Sequence, residues 1–78
     1  MPTYARIGPY LLVFWSSDRD EPPHIHVKRE RYQAKFWLDP VVLASNRGFR
    51  GHELRRIQRI VEEHRNAILE FWHDYFNH

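Results

Sequence analysis

A chain of 78 residues is read as a single domain, near the size at which one hydrophobic core is only marginally stable without a staple or a partner. The absence of cysteine excludes disulfide frameworks and thiolate metal sites, and the longest apolar run, Tyr10 to Trp15, is too short to span a bilayer, so a cytoplasmic protein with no membrane partner is expected. Net charge is only +2, yet ten of the twelve cationic residues are arginines, the side chain suited to bidentate recognition of phosphate and carboxylate.

In chain order, Thr3-Tyr4-Ala5-Arg6-Ile7 is a short strand closed by the turn dipeptide Gly8-Pro9. Tyr10 to Trp15 is a second strand, apolar on both faces, as a central strand covered on both sides would be. The polar loop Ser16-Ser17-Asp18-Arg19-Asp20 leads into Glu21-Pro22-Pro23-His24-Ile25-His26-Val27, the most specific stretch of the chain. Its two prolines fix φ and remove two backbone donors, making a rigid, extended entry into a strand from His24 to Arg29. Strand side chains alternate, so His24, His26 and Lys28 share one face while Ile25 and Val27 take the other.

Tyr32 to Leu38 is the next strand, joined through Glu30 and Arg31. Neither is the Gly or Asn of a tight primed turn, so the loop is read as a residue longer. Ile25 and Val27 reach the same core as Ala34 and Phe36 only in a register such as Ile25 opposite Phe36, which sets His24 beside Trp37 and His26 beside Lys35. The face away from that core then carries His24, His26, Lys28, Gln33, Lys35 and Trp37.

Asp39-Pro40 is expected to end the sheet, with Val41 to Phe49 a connector that turns at Asn46-Arg47-Gly48. From about His52 to Phe76 the pattern becomes helical: Leu54, Ile57, Val61, His64, Ile68, Phe71 and Tyr75 recur at alternating steps of three and four, flanked by Ile60, Ala67 and Trp72. Such a helix runs to roughly 35 Å, longer than a small sheet can cover. Phe71 and Tyr75 continue the stripe, which leaves Trp72 and Phe76 on its flank as the pair expected to meet a partner protein or a second copy in a homodimer. The fold expected is α+β: one domain over residues 1–78, a small antiparallel meander of three to four strands (about 3–7, 10–15, 24–29 and 32–38) with one long carboxyl-terminal helix (about 52–76) packed on one face.

The histidine pair supports three chemistries. As acid and base in RNA cleavage, one imidazole takes the 2′-hydroxyl proton and the other protonates the leaving oxygen, with Lys28 or Lys35 stabilising the phosphorane. As metal ligands, His24 and His26 supply two donors, and Glu21, Asp20 or a distant histidine completes the set. As architecture, they bond to Asp18, Asp20 or the backbone and hold the Pro-Pro loop. A second candidate site is the crowd of Arg47, Arg50, Arg55, Arg56 and Arg59 about the helix start, where free N–H groups and guanidinium groups suit phosphate; the alternative is a solvated face with Glu53–Arg56 and Arg59–Glu63 pairs. His64 lies on the apolar stripe and reads as a hydrogen-bonded core residue, whereas His52, His73 and His78 read as surface.

Together, Glu21-Pro-Pro-His-Ile-His-Val27, Ala34-Lys-Phe-Trp-Leu38, Gly48-Phe49 and Glu53-Leu54 resemble the small bacterial family called domain of unknown function 4160, over nearly the whole chain. The resemblance implies a protein often encoded beside a member of the domain of unknown function 2442 family, in a pairing that looks like a toxin–antitoxin module with this family as the toxin. Glu21, Pro22, Pro23, His24, His26, Lys35 and Trp37 carry over as a marked surface. The family pattern has Ser where this chain has Arg50, giving a Ser-x-x-Glu capping box with Glu53; the departure leaves the helix start open and makes Arg50 a candidate phosphate contact. The function expected is therefore a toxin acting on RNA or another nucleic acid, as a ribonuclease with His24, His26 and Lys35 as catalysts. The alternatives are a non-enzymatic module binding nucleic acid or protein, through Lys28, Trp37 and the five arginines, and a small metal-binding protein. No cofactor is implied.

Overall fold

The computed structural model describes residues 2–76, so the expectation for His78 lies outside the described residues. Five strands, β1 (Thr3–Ile7), β2 (Tyr10–Val13), β3 (His24–Arg29), β4 (Tyr32–Leu38) and β5 (Val41–Arg47), form one sheet in sequence order, and a single helix, α1 (Gly51–Phe76), follows. Every neighbouring pair is antiparallel. No described helix is long and apolar enough to cross a membrane.

Three of the four hairpin connections are two residues long: Ile7 pairs with Tyr10, Arg29 with Tyr32 and Leu38 with Val41. Glu30 is held at φ +56°, so the β3–β4 turn is tight after all, at the expense of a left-handed residue that is not glycine. Asp39-Pro40, read as the end of the sheet, is instead a cis-peptide turn into β5. β5 thus replaces most of the expected connector and brings the strand count to five. The fourth connection, from Phe14 to Pro23, is long and contains a 3₁₀ turn at Ser16–Asp20.

The predicted register is the observed one, with Ile25 opposite Phe36, His24 opposite Trp37 and His26 opposite Lys35. Leu12, Ile25, Val27, Ala34, Phe36 and Leu38 are fully buried beneath Ile57, Val61 and Ile68 of α1. Arg65 clips the helix to the sheet, its Nε donating to the Leu38 carbonyl at 2.6 Å and its Nη2 meeting Asp39 at 2.8 Å. His64 is half-buried and shares a hydrogen bond of 3.0 Å with the Tyr4 hydroxyl, the hydrogen-bonded role expected of it, while His52 and His73 are exposed.

The last turns of α1 correct the assignment of Trp72 and Phe76 to a partner. Both are buried, at 3 % and 7 % exposure, whereas Tyr75, expected in the core, is 47 % exposed. The buried residues advance by fours at this end, Ile68 to Trp72 to Phe76, and each such step turns the core-facing side by about 40°. The buried stripe thus spirals around the helix as it follows a twisted sheet, instead of running straight. Phe14 fills the space so created, with ring centroids 4.8 Å from Trp72, 5.4 Å from Phe76 and 5.4 Å from Phe71.

The helix start is also settled. The Arg50 carbonyl accepts the first helical hydrogen bond, from Leu54 N–H at 2.9 Å, so Arg50 is the cap residue and Gly51 the first helical one. Glu53 makes no capping box; it binds Arg29 through two hydrogen bonds of 2.9 Å and accepts 2.7 Å from the Tyr10 hydroxyl. Those bonds, led by Arg29, hold the Glu53 carboxyl below its ordinary range. Just before the helix, Gly48 has φ +102°, and a Cβ there would overlap the Tyr32 ring.

Candidate functional site

The Pro-Pro lead is pinned at both ends. Leu38 N–H donates to the Pro23 carbonyl at 3.2 Å, and Glu21 N–H to the Asp18 carbonyl at 3.0 Å. The 3₁₀ turn closes on itself through Trp15 N–H, which donates 2.9 Å to Asp18 Oδ2 and so points that carboxylate at the histidines. His24 Nδ1 lies 2.9 Å from the Pro22 carbonyl. A carbonyl only accepts, so Nδ1 carries a proton and Nε2 is the remaining nitrogen.

Both Nε2 atoms face Asp18 Oδ2, at 2.9 Å from His24 and 3.5 Å from His26. Both are buried, yet neither makes an aligned hydrogen bond: the carboxylate is close but out of line. His26 Nδ1 is 3.3 Å from the Gln33 amide. All three tryptophans of the chain box the pair, Trp15 against His26 (4.3 Å between centroids), Trp37 and Trp72 against His24 (5.6 and 5.0 Å), most of them edge-on.

This enclosure sets the electrostatics. Burial, helped by the neighbouring His24 and Lys35 and opposed by Asp18, pushes His26 down to about 4, so it is neutral at pH 7. Burial pushes the Asp18 carboxyl up, but the hydrogen bond from Trp15 and the two histidines outweigh it and leave it below its ordinary range.

The geometry corrects two expectations. His24 has no exposed surface, so as it stands it cannot touch an RNA strand as an acid or base. Glu21 is not placed as the third metal donor: it lies 3.8 Å from His24 Nδ1, the nitrogen already committed to Pro22, and is ion-paired with Lys35 at 2.6 Å. Asp18 takes the position beside the Nε2 atoms, while Asp20 is exposed.

Beyond the buried pair, the sheet face turned away from α1 is open. One transverse row crosses all five strands through Arg6, Leu11, Lys28, Gln33 and Arg47. Beside it Lys35 sits 4.6 Å from the centre of the Trp37 ring, and Trp37 helps line an apolar hollow of about 420 Å³ with Pro22, Pro23, Pro40 and Val42. Lys28 is half-buried, 5.9 Å from the Trp15 ring.

The predicted arginine crowd is divided by this arrangement. Arg47 lies on the open face, Arg50 caps the helix, and Arg56 stands near the Tyr10–Glu53 pair. Arg55 and Arg59 line a groove on the outside of α1 with Gln58 and Glu62, on the other side of the molecule from the open face. Arg6 was missed because a lone cation in a short strand carries no signal until the register aligns it with Lys28. Arg29 was missed because its partner Glu53 is 24 residues away.

No curated protein and no solved structure matches the chain. A family model described as Domain of unknown function (DUF4160) matches residues 10–73, a span that takes in β2, the Pro-Pro lead with its histidines, the open face except Arg6 and most of α1. The chain belongs to this family of domains of unknown function.

Proposed function

We propose that the chain is a non-enzymatic nucleic-acid-binding module that receives a single strand, RNA or DNA, on its open sheet face. The carrying observation is the combination on one face of a cationic row (Arg6, Lys28, Arg47), Lys35, and an aromatic ring seated in an apolar hollow. Phosphates give affinity through counterion release, and an exposed ring offers a base a stacking surface. The complete burial of His24 favours holding a strand over cutting it. In the toxin–antitoxin pairing that the family resemblance implies, toxicity then comes from occupying an RNA, and a protein of the domain of unknown function 2442 type is the partner that would relieve it.

Binding of a fluorescent single-stranded RNA, followed across salt concentrations, tests this. Affinity should fall log-linearly with salt, the slope flattening by about 0.7 for each phosphate contact removed in Lys28→Ala and Arg47→Ala. Trp37→Ala should weaken binding by roughly 1–3 kcal/mol, Arg55→Ala and Arg59→Ala should leave it near wild type, and the RNA should be recovered uncut. Absence of binding at low salt ends the proposal. Cleavage that disappears in His26→Ala would return the ribonuclease reading.

A further inference from the structure

We infer that His24 Nε2, His26 Nε2 and the Asp18 carboxylate form a binding site for one divalent transition-metal ion of the zinc type, which staples the β2–β3 connection to the sheet. The donor atoms lie within 4.8 Å of one another. A tetrahedral ion with bonds of about 2.0–2.1 Å holds its donors roughly 3.3 Å apart, and the two distances from Asp18 Oδ2, 2.9 and 3.5 Å, bracket that spacing.

The stronger observation is the placement of the nitrogens. His24 is wholly buried and its Nδ1 donates to the Pro22 carbonyl, which leaves Nε2, the nitrogen facing the Asp18 carboxylate, as the atom that would bind an ion. Neither Nε2 has an aligned donor or acceptor. Two buried imidazole nitrogens without an aligned hydrogen bond and a carboxylate, all within 4.8 Å of one another, make a donor set that suits a cation. The surroundings also match what metal-bound imidazoles need. Such a ring donates its other N–H to a carbonyl or carboxylate, which fixes its tautomer; His24 already does so. His26 does the same once the Gln33 amide is turned end for end, an exchange that leaves its shape unchanged. Two imidazoles and one carboxylate select an ion of borderline softness over calcium or magnesium, which take oxygen donors.

This site borders the open face, since Gln33 meets His26 and Trp37 packs on His24, but its three donors are other residues. It gives the rigid lead a role: a domain of this size gains much from one internal cross-link, and this one ties Asp18, in the longest connection of the sheet, to two residues of β3.

The test uses the full chain, stripped with a chelator and titrated with Zn²⁺ in a calorimeter, and with Co²⁺ as a coloured substitute. One equivalent should bind, Co²⁺ should show the visible absorption of a four-coordinate nitrogen and oxygen site, and Zn²⁺ at a hundredfold excess over its dissociation constant should raise the melting temperature by roughly 10–20 °C. Asp18→Asn and His26→Gln, checked for folding by circular dichroism, should each lose more than the roughly 10–100-fold typical of disturbing a group behind a ligand. No stoichiometric binding by the wild-type chain, or binding that either folded variant keeps undiminished, overturns the inference. Should a variant fail to fold, ring resonances of the wild-type chain decide: Zn²⁺ must shift His24 and His26, and shifts confined to His52 or His73 overturn it.

Discussion

Truncating Trp72 and Tyr75 to alanine, one at a time, distinguishes the spiralling stripe from a straight one, because the two arrangements rank the residues in opposite order. A straight stripe puts Tyr75 in the core and Trp72 at the surface. In the structure Trp72 is 3 % exposed and packs on Phe14, His24 and Phe76, whereas Tyr75 is 47 % exposed. Removing a buried Trp side chain costs about 3–5 kcal/mol, and a domain of this length has only about 4–12 kcal/mol of stability in all. Trp72→Ala should therefore lose about a quarter of its stability or more. Tyr75→Ala, which gives up part of an edge contact with Phe14 at 5.4 Å, should lose no more than about 1 kcal/mol. Urea unfolding followed by far-ultraviolet circular dichroism measures both. If Trp72→Ala is unfolded in water, Trp72→Phe, which keeps a ring, serves in its place with an expected loss of about 1–2 kcal/mol. A larger loss for Tyr75→Ala than for the Trp72 variant would refute the helix phase and return Trp72 to the surface.

Gly48→Ala should cost about 2–4 kcal/mol, from a positive φ combined with overlap of the Tyr32 ring, and a thermal melt should show a smaller cost in a Tyr32→Ala background. Glu53 sets an acid dependence: its folded-state pKa lies below its unfolded value, so its contribution is present above about pH 5 and is lost as the pH falls through the folded value. Glu53→Gln should accordingly be less stable than wild type at pH 7, with urea midpoints that converge as the solution is acidified.

Where one face of an element is buried and the other is not, its sequence declares it. The alternation in Ile25 to Lys28 and Ala34 to Trp37 fixes the β3–β4 register to the residue, because a slip of one would put Lys35 into the core. β5 was illegible for the same reason reversed: six of its seven residues are exposed, so an edge strand made of Val-Val-Leu-Ala-Ser-Asn-Arg shows no period. Asp39-Pro40 looked like a terminator because proline cannot donate to a ladder, but in a two-residue turn no donation is asked of it. The histidines were visible as neighbours. Their third partner was visible only as a choice between Asp18 and Asp20, since Asp18 reaches them only after the Ser16–Asp20 turn has closed through Trp15 N–H, and loop sequence does not announce that closure.

The sequential order of the sheet bears on how the protein is made. Each strand pairs with the one before it, so the meander has local partners and can assemble quickly as the chain leaves the ribosome. Its apolar face, from Leu12 across Ile25 and Val27 to Ala34 and Phe36, has no cover until α1 emerges behind it. For the interval needed to synthesise the helix, the nascent chain displays an uncovered hydrophobic surface bounded by two unpaired edges, β1 and β5, a form prone to stick to its neighbours. Chain-terminating changes anywhere before about Trp72 should therefore yield aggregates in place of a smaller folded domain, and the ease of soluble expression should depend on the final turns of the helix more than on any residue of the sheet.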